Sequence, residues 1–296
     1  MSARPLAVLG LLTAFATACE PDPTAPPYAG DPQFASAGSP RFTSASATGP
    51  NSLGQLAIAF QMAGVGAKAS NLITANAAGR AVWACRFGTQ EFDGFPAPQT
   101  VVVPVSSTAA AAMSRGQISG SLALSTPGNS LDCAAGHHRP VLVSTEFTSA
   151  EVTHPDAQPL AIPGTFAQTF HTLPTGTLPT ITSVQIAQTT FTIGGDAVSS
   201  AVTIENTGFL IPAVILQAWI KQGDTWRAAG GPAVDCGGEP NELPTGSCTL
   251  QANPFASNSA AGEGTLVPGA AVLEFIVRES PSVRALAGWR VNITLQ

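Results

Sequence analysis

The densest group of carboxylates in the chain lies in a glycine-containing segment, Asp235–Glu242. Carboxylate and amide oxygens are the ligands that Ca²⁺ prefers, so the candidate ligands are Asp235, Glu239, Asn241 and Glu242. Their spacing is not that of an EF-hand, and acidic loops on protein surfaces are common. We therefore expect a solvated acidic loop here, with no bound metal or cofactor.

Histidines and acids elsewhere in the chain suggest two other kinds of site. His137 and His138 are adjacent and follow Cys133 closely. Neighbouring side chains of a strand point to opposite faces, so both could bind one metal only from a loop; we expect a solvated turn instead. Glu146 and Glu151 are the candidates for a glycosidase pair, which needs an acid and a partner carboxylate in one cleft. Alternation places Glu146 on a solvent-exposed face.

Short catalytic motifs are missing from the sequence. It contains no G-x-S-x-G, S-x-x-K or H-E-x-x-H pattern, and no phosphate-binding glycine loop. Only four histidines and two lysines are available as bases or nucleophiles. We therefore predict that the protein is not an enzyme. The net charge of −6, without a basic stripe, also argues against nucleic acid as a partner.

Tryptophans are the side chains from which a carbohydrate-binding surface would be built. Trp83, Trp219 and Trp289 fall within strand patterns, which predicts core positions for them. Trp226 follows a Gly-Asp turn and is the best candidate for exposure. One exposed tryptophan makes a weak binding platform.

The first nineteen residues have the features of an export signal. Arg4 supplies the positive charge, Leu6–Phe15 form an apolar stretch, and small residues precede Cys19. Ala-Thr-Ala-Cys resembles the lipobox of bacterial lipoproteins, although leucine is commoner at Ala16. The resemblance implies a signal peptide at residues 1–18 and a lipid on Cys19. It further implies a place in the cell envelope, anchored to a membrane on its periplasmic or cell-surface side. The alternative is an ordinary signal peptide cut near Ala18.

The number of cysteines supports lipidation. The chain has five, so a lipid on Cys19 leaves an even set of four, suited to an oxidising compartment. Of the three possible pairings we favour Cys85–Cys133 and Cys236–Cys248, because each pair falls inside one predicted domain. A metal site is the competing use of cysteines, and the absence of a C-x-x-C spacing argues against it.

Residues 19–50 lack the apolar side chains of a core. The segment is rich in Pro, Ala, Ser and Thr, a composition that cannot offset its ordering entropy. We predict a disordered tether after the lipid anchor, acting as a plain spacer. A peptide ligand motif is the less favoured alternative.

From residue 51 onward the apolar residues alternate with polar ones. This period of two, between Gly, Pro and Asn clusters, is typical of antiparallel sandwiches. A stretch without periodicity at His171–Pro179 predicts a linker, and therefore two domains, residues 51–172 and 180–296. The predicted fold is all-β, with two antiparallel β-sandwich (Ig-like) domains after the signal peptide and tether. The clearest alternating sets are Leu56, Ile58, Phe60 and Met62, and Val141, Val143, Thr145 and Phe147.

The second half also resembles a known type of repeat. Val202–Ile220 and Gly262–Val277 are similar to strands of bacterial Ig-like repeats of the cell-adhesion-related (CARDB-like) type. In the first half, GQISGSLALS and RPVLVSTEFTSAEVT resemble secreted bacterial β proteins. These resemblances imply scaffolding, adhesion or recognition outside the cell, with an extracellular protein or glycan as partner. We therefore expect a non-catalytic envelope lipoprotein with a structural, adhesion or ligand-binding role. The alternative is a carbohydrate-binding or hydrolytic accessory protein.

Overall fold

The computed structural model describes residues 39–66, 70–136, 138–173, 181–186, 189–193, 200–230, 234, 236, 241–252, 266–280 and 284–296. The predicted signal peptide, Cys19, residues 20–38 of the tether, residues 174–179 of the linker, His137, Asp235 and Glu239 lie outside this set. The described residues form strands and no helix, which confirms the all-β prediction. In this part of the chain, no helix could cross a membrane.

The first half of the chain forms two sheets that pack face to face. One has the strand order β1-β2-β6-β5; the other has the order β4-β3-β7-β8, with β9 also paired to β7. The strands are β1 (Arg41–Thr48), β2 (Leu56–Ala63), β3 (Leu72–Phe87), β4 (Gln99–Ala110), β5 (Met113–Ser114), β6 (Gln117–Leu124), β7 (His138–His154), β8 (Ala157–Ile162) and β9 (Phe166–Thr169).

Alternate residues of both sheets fill the core of this first sandwich. Leu56, Ile58, Phe60 and Met62 of β2 are buried, as their alternation predicts. They face side chains of the other sheet such as Phe147, whose complete burial contributes about 1.5–3 kcal/mol. This shared core makes the two sheets one sandwich.

The first strand corrects the prediction of a tether. Residues 41–48 were predicted to be disordered, but they form β1, which pairs antiparallel with β2. Only Phe42, Ala45 and Ala47 of this strand pack against the core, and each is partly buried. Pairing with the edge of β2 satisfies the backbone hydrogen bonds of β1 without large apolar side chains, so composition did not reveal the strand.

The second half forms a sandwich of the Ig-like type. Its sheets have the orders β10-β12-β15 and β11-β17-β16-β13-β14, and all described pairs are antiparallel except β11 with β17. The strands are β10 (Ile181–Ile186), β11 (Thr190–Phe191), β12 (Ser200–Asn206), β13 (Val214–Gln222), β14 (Thr225–Gly230), β15 (Gly246–Ala252), β16 (Gly269–Glu279) and β17 (Ala285–Leu295).

Trp219 does not occupy the core of this second sandwich. Ala218 and Ile220, its neighbours in β13, are the residues that face the core, together with Leu273 and Phe275 of β16. Trp219 therefore points outward and packs on the first sandwich instead. The predicted core position of Trp219 is wrong, because alternation along β13 gives the core to its neighbours.

Two disulfides lie in the structure, with the predicted pairing. Cys85 on β3 is bonded to Cys133, and Cys236 is bonded to Cys248 on β15. Closing loops of 48 and 12 residues stabilises the folded chain by about 4 and 3 kcal/mol in the loop-entropy model. Structural disulfides form in oxidising compartments, so the chain belongs to an exported environment.

Candidate functional site

The two sandwiches meet at a junction that contains most of the buried charges. Two loops of the first sandwich, residues 91–95 and 131–136, contact the outer face of the β11-β17-β16-β13-β14 sheet. The disulfide from Cys133 to Cys85 holds the second of these loops against β3. At the same end of the molecule, β3 ends and β7 begins where Phe87 pairs with His138.

Strand β16 is buried on both faces, unlike a strand with a solvated side. Leu273, Phe275 and Val277 face the core of the second sandwich. Glu274 and Arg278 alternate with them and point outward, yet their exposed fractions are only 0% and 4%. The loops of the first sandwich therefore cover charges that alternation alone would leave in water.

Glu274 accepts hydrogen bonds from both sandwiches. Its Oε2 accepts from the backbone N–H of Ala135 at 2.8 Å, and its Oε1 accepts from Arg290 Nε at 2.7 Å. Arg290 in turn pairs with the carboxylate of Asp132 and donates to the Cys133 carbonyl at 2.8 Å. The chain of contacts Glu274–Arg290–Asp132 thus crosses the junction.

Arg278 makes a second link across the junction. Its Nη2 donates to the Ala135 carbonyl at 2.6 Å, and its guanidinium lies 6.0 Å from the ring centre of Trp219. Burial lowers the pKa of Arg278 below its usual value, while the carboxylates of Asp93 and Glu274 act in the opposite direction. One backbone carbonyl and two nearby carboxylates therefore stabilise this buried cation.

Asp93 and His138 form a fully buried pair. Asp93 Oδ2 lies 2.6 Å from His138 Nδ1, and Asp93 Oδ1 accepts from the N–H of Ala285 at 2.9 Å. Because a carboxylate accepts, Nδ1 carries the proton and Nε2 faces away, without a partner. The expected solvated turn at His138 is wrong: its side chain is fully buried, because the loop that carries Asp93 covers it.

A His–Asp pair resembles the base and its orienting acid in a hydrolase triad. Such a site also needs a nucleophile on the other imidazole nitrogen. Among the described residues, no serine, threonine or cysteine bonds to His138 Nε2. The nearby Cys85 and Cys133 are joined in the disulfide and offer no thiol. Within the described residues, His138 therefore has an orienting carboxylate but no nucleophile bonded to it.

Beside this pair the junction opens into a cleft of about 420 Å³. Its walls are residues 131–136, His138, Pro140, Trp219 and Trp226. Gly136 has a φ of 86°, and a Cβ at this position would lie 2.7 Å from Trp219 Cζ2. Glycine is therefore required for the close approach of this loop to the indole.

The other predicted site residues do not join this cleft. Glu146 pairs with Arg80 at 3.7 Å, and Glu151 accepts from Asn76 at 3.3 Å. Each of these acids thus has a partner on the neighbouring strand β3 and belongs to a sheet surface.

The solvated acidic loop expected at residues 235–242, with its candidate Ca²⁺ ligands, stays a prediction. Asn241 is exposed and donates its N–H to the Val234 carbonyl, and Glu242 is half-buried. Asp235 and Glu239 lie outside the described residues. Within the residues that the structure describes, no three His, Cys, Asp or Glu side chains are grouped to hold a metal.

The tryptophans differ from their predicted positions. Trp289 is 43% exposed, so its predicted core position is wrong: on its face of β17, the core residues are Ile293 and Leu295 at the other end of the strand. Trp226, predicted to be exposed, is half-buried and lies in the cleft wall. Trp83 is half-buried and donates to the Pro127 carbonyl at 3.1 Å.

Sequence reasoning missed Glu274, Arg278 and Arg290 as site residues. The sequence contained one indication of their burial. Glu274 and Ile276 share the outward face of β16, and a large apolar residue such as Ile276 is unusual beside a charge on a face that is exposed to solvent. That pattern indicates cover by another element. It does not indicate which loops provide the cover.

Comparisons with known proteins give little information on this chain. No protein-family model and no curated protein matches it. Among solved structures, it is similar to the glycoside hydrolase domain of Endo-D from Streptococcus pneumoniae, at 11% identity and a TM-score of 0.21. The match covers 84% of this chain and 32% of the other, so the chain spans about a third of that structure. A similarity at this level identifies neither a fold nor a function.

Proposed function

We propose that this protein is a non-catalytic component of the cell envelope, anchored to a membrane by a lipid on Cys19. Its two sandwiches act as one body with a structural, adhesion or ligand-binding role. The proposal rests on the hydrogen bonds that the buried charged side chains of the junction make. Glu274, Arg278 and Asp93 each contact a loop or strand of the other sandwich.

Charged side chains that are bonded across the junction hold the two sandwiches in a fixed orientation rather than serve a reaction. A buried ion that loses its partner costs several kcal/mol, so separating the sandwiches is unfavourable. Each carboxylate oxygen of Glu274 already accepts a hydrogen bond from Arg290 or Ala135. A general base must reach a proton of the substrate, whereas Glu274 is completely buried between Arg290 and the loop of Ala135.

The lipid anchor has a direct test. Full-length protein expressed with its signal peptide is expected to partition into the detergent phase, and Cys19→Ser is expected to move it to the aqueous phase, because thioether-linked lipid supplies the buried CH₂ groups. Thr17→Ser, a conservative change two residues away, is the matched control and should stay with detergent. Detergent partition of the Cys19→Ser form would contradict the lipid anchor.

The absence of catalysis is tested on the purified full-length protein. We expect no turnover of esterase, peptidase, phosphatase or glycosidase substrates above a no-enzyme blank. His138→Asn is the diagnostic variant, since His138 is the buried base nearest in geometry to a triad member. Turnover that persists through purification and disappears in His138→Asn would show a hydrolytic accessory protein instead.

A further inference from the structure

We propose that one end of the first sandwich docks on a phospholipid surface with anionic headgroups. This end carries Arg41, Leu72, Met113 and Arg115, and we call it the tether end because the predicted tether enters the fold at Arg41. The proposal rests on the lipid anchor at Cys19 proposed above, and it adds the orientation that the anchored protein takes on its membrane.

Both sheets of the first sandwich contribute to the tether end. Arg41, the first residue of β1, pairs with the last residue of β2, which itself pairs with the start of β6. In the other sheet, Leu72 begins β3 and lies opposite Ala110 at the end of β4. Two residues separate Ala110 from Met113, which begins β5 and pairs with β6. The same end of the sandwich therefore carries Arg41, Leu72 and Met113.

The junction lies at the opposite end of the first sandwich. Strand β3 runs from Leu72 at the tether end to Phe87 beside the junction, and its 16 residues span about 50 Å. Twenty-one residues separate Cys19 from Arg41 in the sequence, and a fully extended chain of that length spans about 75 Å. The lipid therefore keeps the tether end within this distance of the membrane but does not fix the orientation of the body.

Two exposed arginines lie at the tether end. Arg41 is at the start of β1, and Arg115 is in the two-residue turn between β5 and β6. Within the described residues neither guanidinium forms an ion pair, whereas Arg80, Arg284 and Arg290 each contact an acid. Both are therefore available to lipid phosphate oxygens, which a guanidinium binds with charge-assisted hydrogen bonds.

The remaining charges near this end leave it weakly positive. Asp156, in the turn between β7 and β8, is the carboxylate described at this end. Glu151 lies about 13 Å back along β7, farther than the Debye length of about 8 Å at physiological salt. His154 adds no charge, because its Nε2 donates to a backbone carbonyl while its Nδ1 accepts the N–H of Asp156. Lys68 lies outside the described residues.

The second half of the chain is acidic. Residues 180–296 contain nine Asp or Glu and five Lys or Arg, a formal charge of −4. An anionic surface therefore repels the second sandwich while it attracts the tether end, so the second sandwich is held away from the membrane. The tether acids Glu20, Asp22 and Asp31 follow the anchor closely in the sequence whatever the orientation of the body, so they do not change this preference.

Leu72 and Met113 add apolar contact to this attraction. Their side chains are 49% and 39% exposed although both are large and apolar. Apolar side chains beside arginines enter the boundary between headgroups and acyl chains, while the guanidinium groups stay at the level of the phosphates. A soluble partner protein is the competing occupant of this end, and its binding would not depend on lipid composition.

The test uses the full-length lipidated protein on vesicles, with an environment-sensitive nitrobenzoxadiazole label on Ser114→Cys, an exposed position of β5 beside Met113. The four cysteines of the folded part are joined in disulfides, so the label attaches to the introduced thiol. We expect blue-shifted emission, which marks an apolar environment, on vesicles of equal parts phosphatidylglycerol and phosphatidylcholine. On phosphatidylcholine alone the docked fraction should be about fivefold lower, because one net positive charge favours an anionic surface by about that factor.

Arg41→Gln/Arg115→Gln should lower the ratio of docked to undocked protein on the mixed vesicles about 25-fold, since each arginine near an anionic surface contributes about fivefold. Arg80→Gln/Arg139→Gln is the matched control, because it removes two exposed arginines of the same sandwich away from the tether end; it should leave the ratio unchanged. A label on Val267→Cys, exposed in the second sandwich, should report water on both kinds of vesicle.

Three results would each overturn the docking of the tether end. They are emission of the Ser114→Cys label that is the same on vesicles as in water, equal ratios in the two arginine double variants, and a blue shift at Val267→Cys instead. Flotation with the vesicles is followed in parallel and reports the anchor. Wild-type protein that does not float contradicts the lipid anchor and with it this orientation, whereas wild-type protein that floats and gives any of the three results contradicts the orientation alone.

Discussion

Glu274→Ala is expected to lower the free energy of unfolding by about 3–5 kcal/mol, because it removes one partner from a buried ionic network. Glu274 is completely buried and accepts from Arg290 Nε and from the Ala135 N–H. Its removal leaves that N–H and Arg290 Nε without their acceptor and takes from Arg278 one of its two nearby carboxylates, Asp93 being the other. The loss falls on contacts between the sandwiches, so it loosens the junction as well as destabilising β16.

Chemical denaturation followed by tryptophan fluorescence measures this loss. Glu146→Ala is the matched control, since it deletes the same side chain from an ion pair whose carboxylate is 36% exposed and 3.7 Å from Arg80. An exposed pair of this kind contributes less than about 1 kcal/mol. Losses of equal size in the two variants would show that the junction network does not stabilise the fold.

The double variant Cys85→Ala/Cys133→Ala is expected to lose about 4 kcal/mol of stability and to unfold in two steps. Cys133 lies in the loop whose neighbours Asp132 and Ala135 contact the second sandwich. Without the disulfide that loop loses its covalent link to β3, so its contacts with Arg278, Glu274 and Arg290 weaken. Uncoupled sandwiches then melt at separate temperatures.

Differential scanning calorimetry separates this effect from simple destabilisation. Cys236→Ala/Cys248→Ala is the control: it removes a disulfide on β15, in the sheet other than the one that the loop at residues 131–136 contacts, and should cost about 3 kcal/mol without changing the number of transitions. A single transition for Cys85→Ala/Cys133→Ala, shifted to the same extent as in the control, would contradict a role of this disulfide in coupling the sandwiches.

Features that depend on residues close together in the sequence were predicted correctly. The alternation of Leu56, Ile58, Phe60 and Met62 placed them on one buried face of β2, because side chains of a strand point alternately to its two faces. The disulfide partners followed from an even set of cysteines divided between two predicted sandwiches. Strand β1 was not predicted, because it is stabilised by pairing with β2 and makes few apolar contacts of its own.

The candidate site could not be predicted in this way, because it is formed by residues that are far apart in the sequence. His138 and Glu146 are both polar residues of β7, yet one is fully buried under the loop of Asp93 and the other stays partly in water beside Arg80. Nothing within a few residues of either distinguishes them. The difference arises from a loop 45 residues away in sequence.

The sequence by itself determined the all-β class, the alternating cores and the disulfide pairs, because strand periodicity and cysteine number depend on neighbouring residues and simple counts. Only the tertiary structure decided that Trp219, Glu274 and Arg278 meet the first sandwich instead of solvent. The environment of an outward-facing residue is set by whichever element packs on that face. In this protein that element comes from the other half of the chain, so the burial of these charges and the cleft beside them exist only once the two sandwiches are in contact.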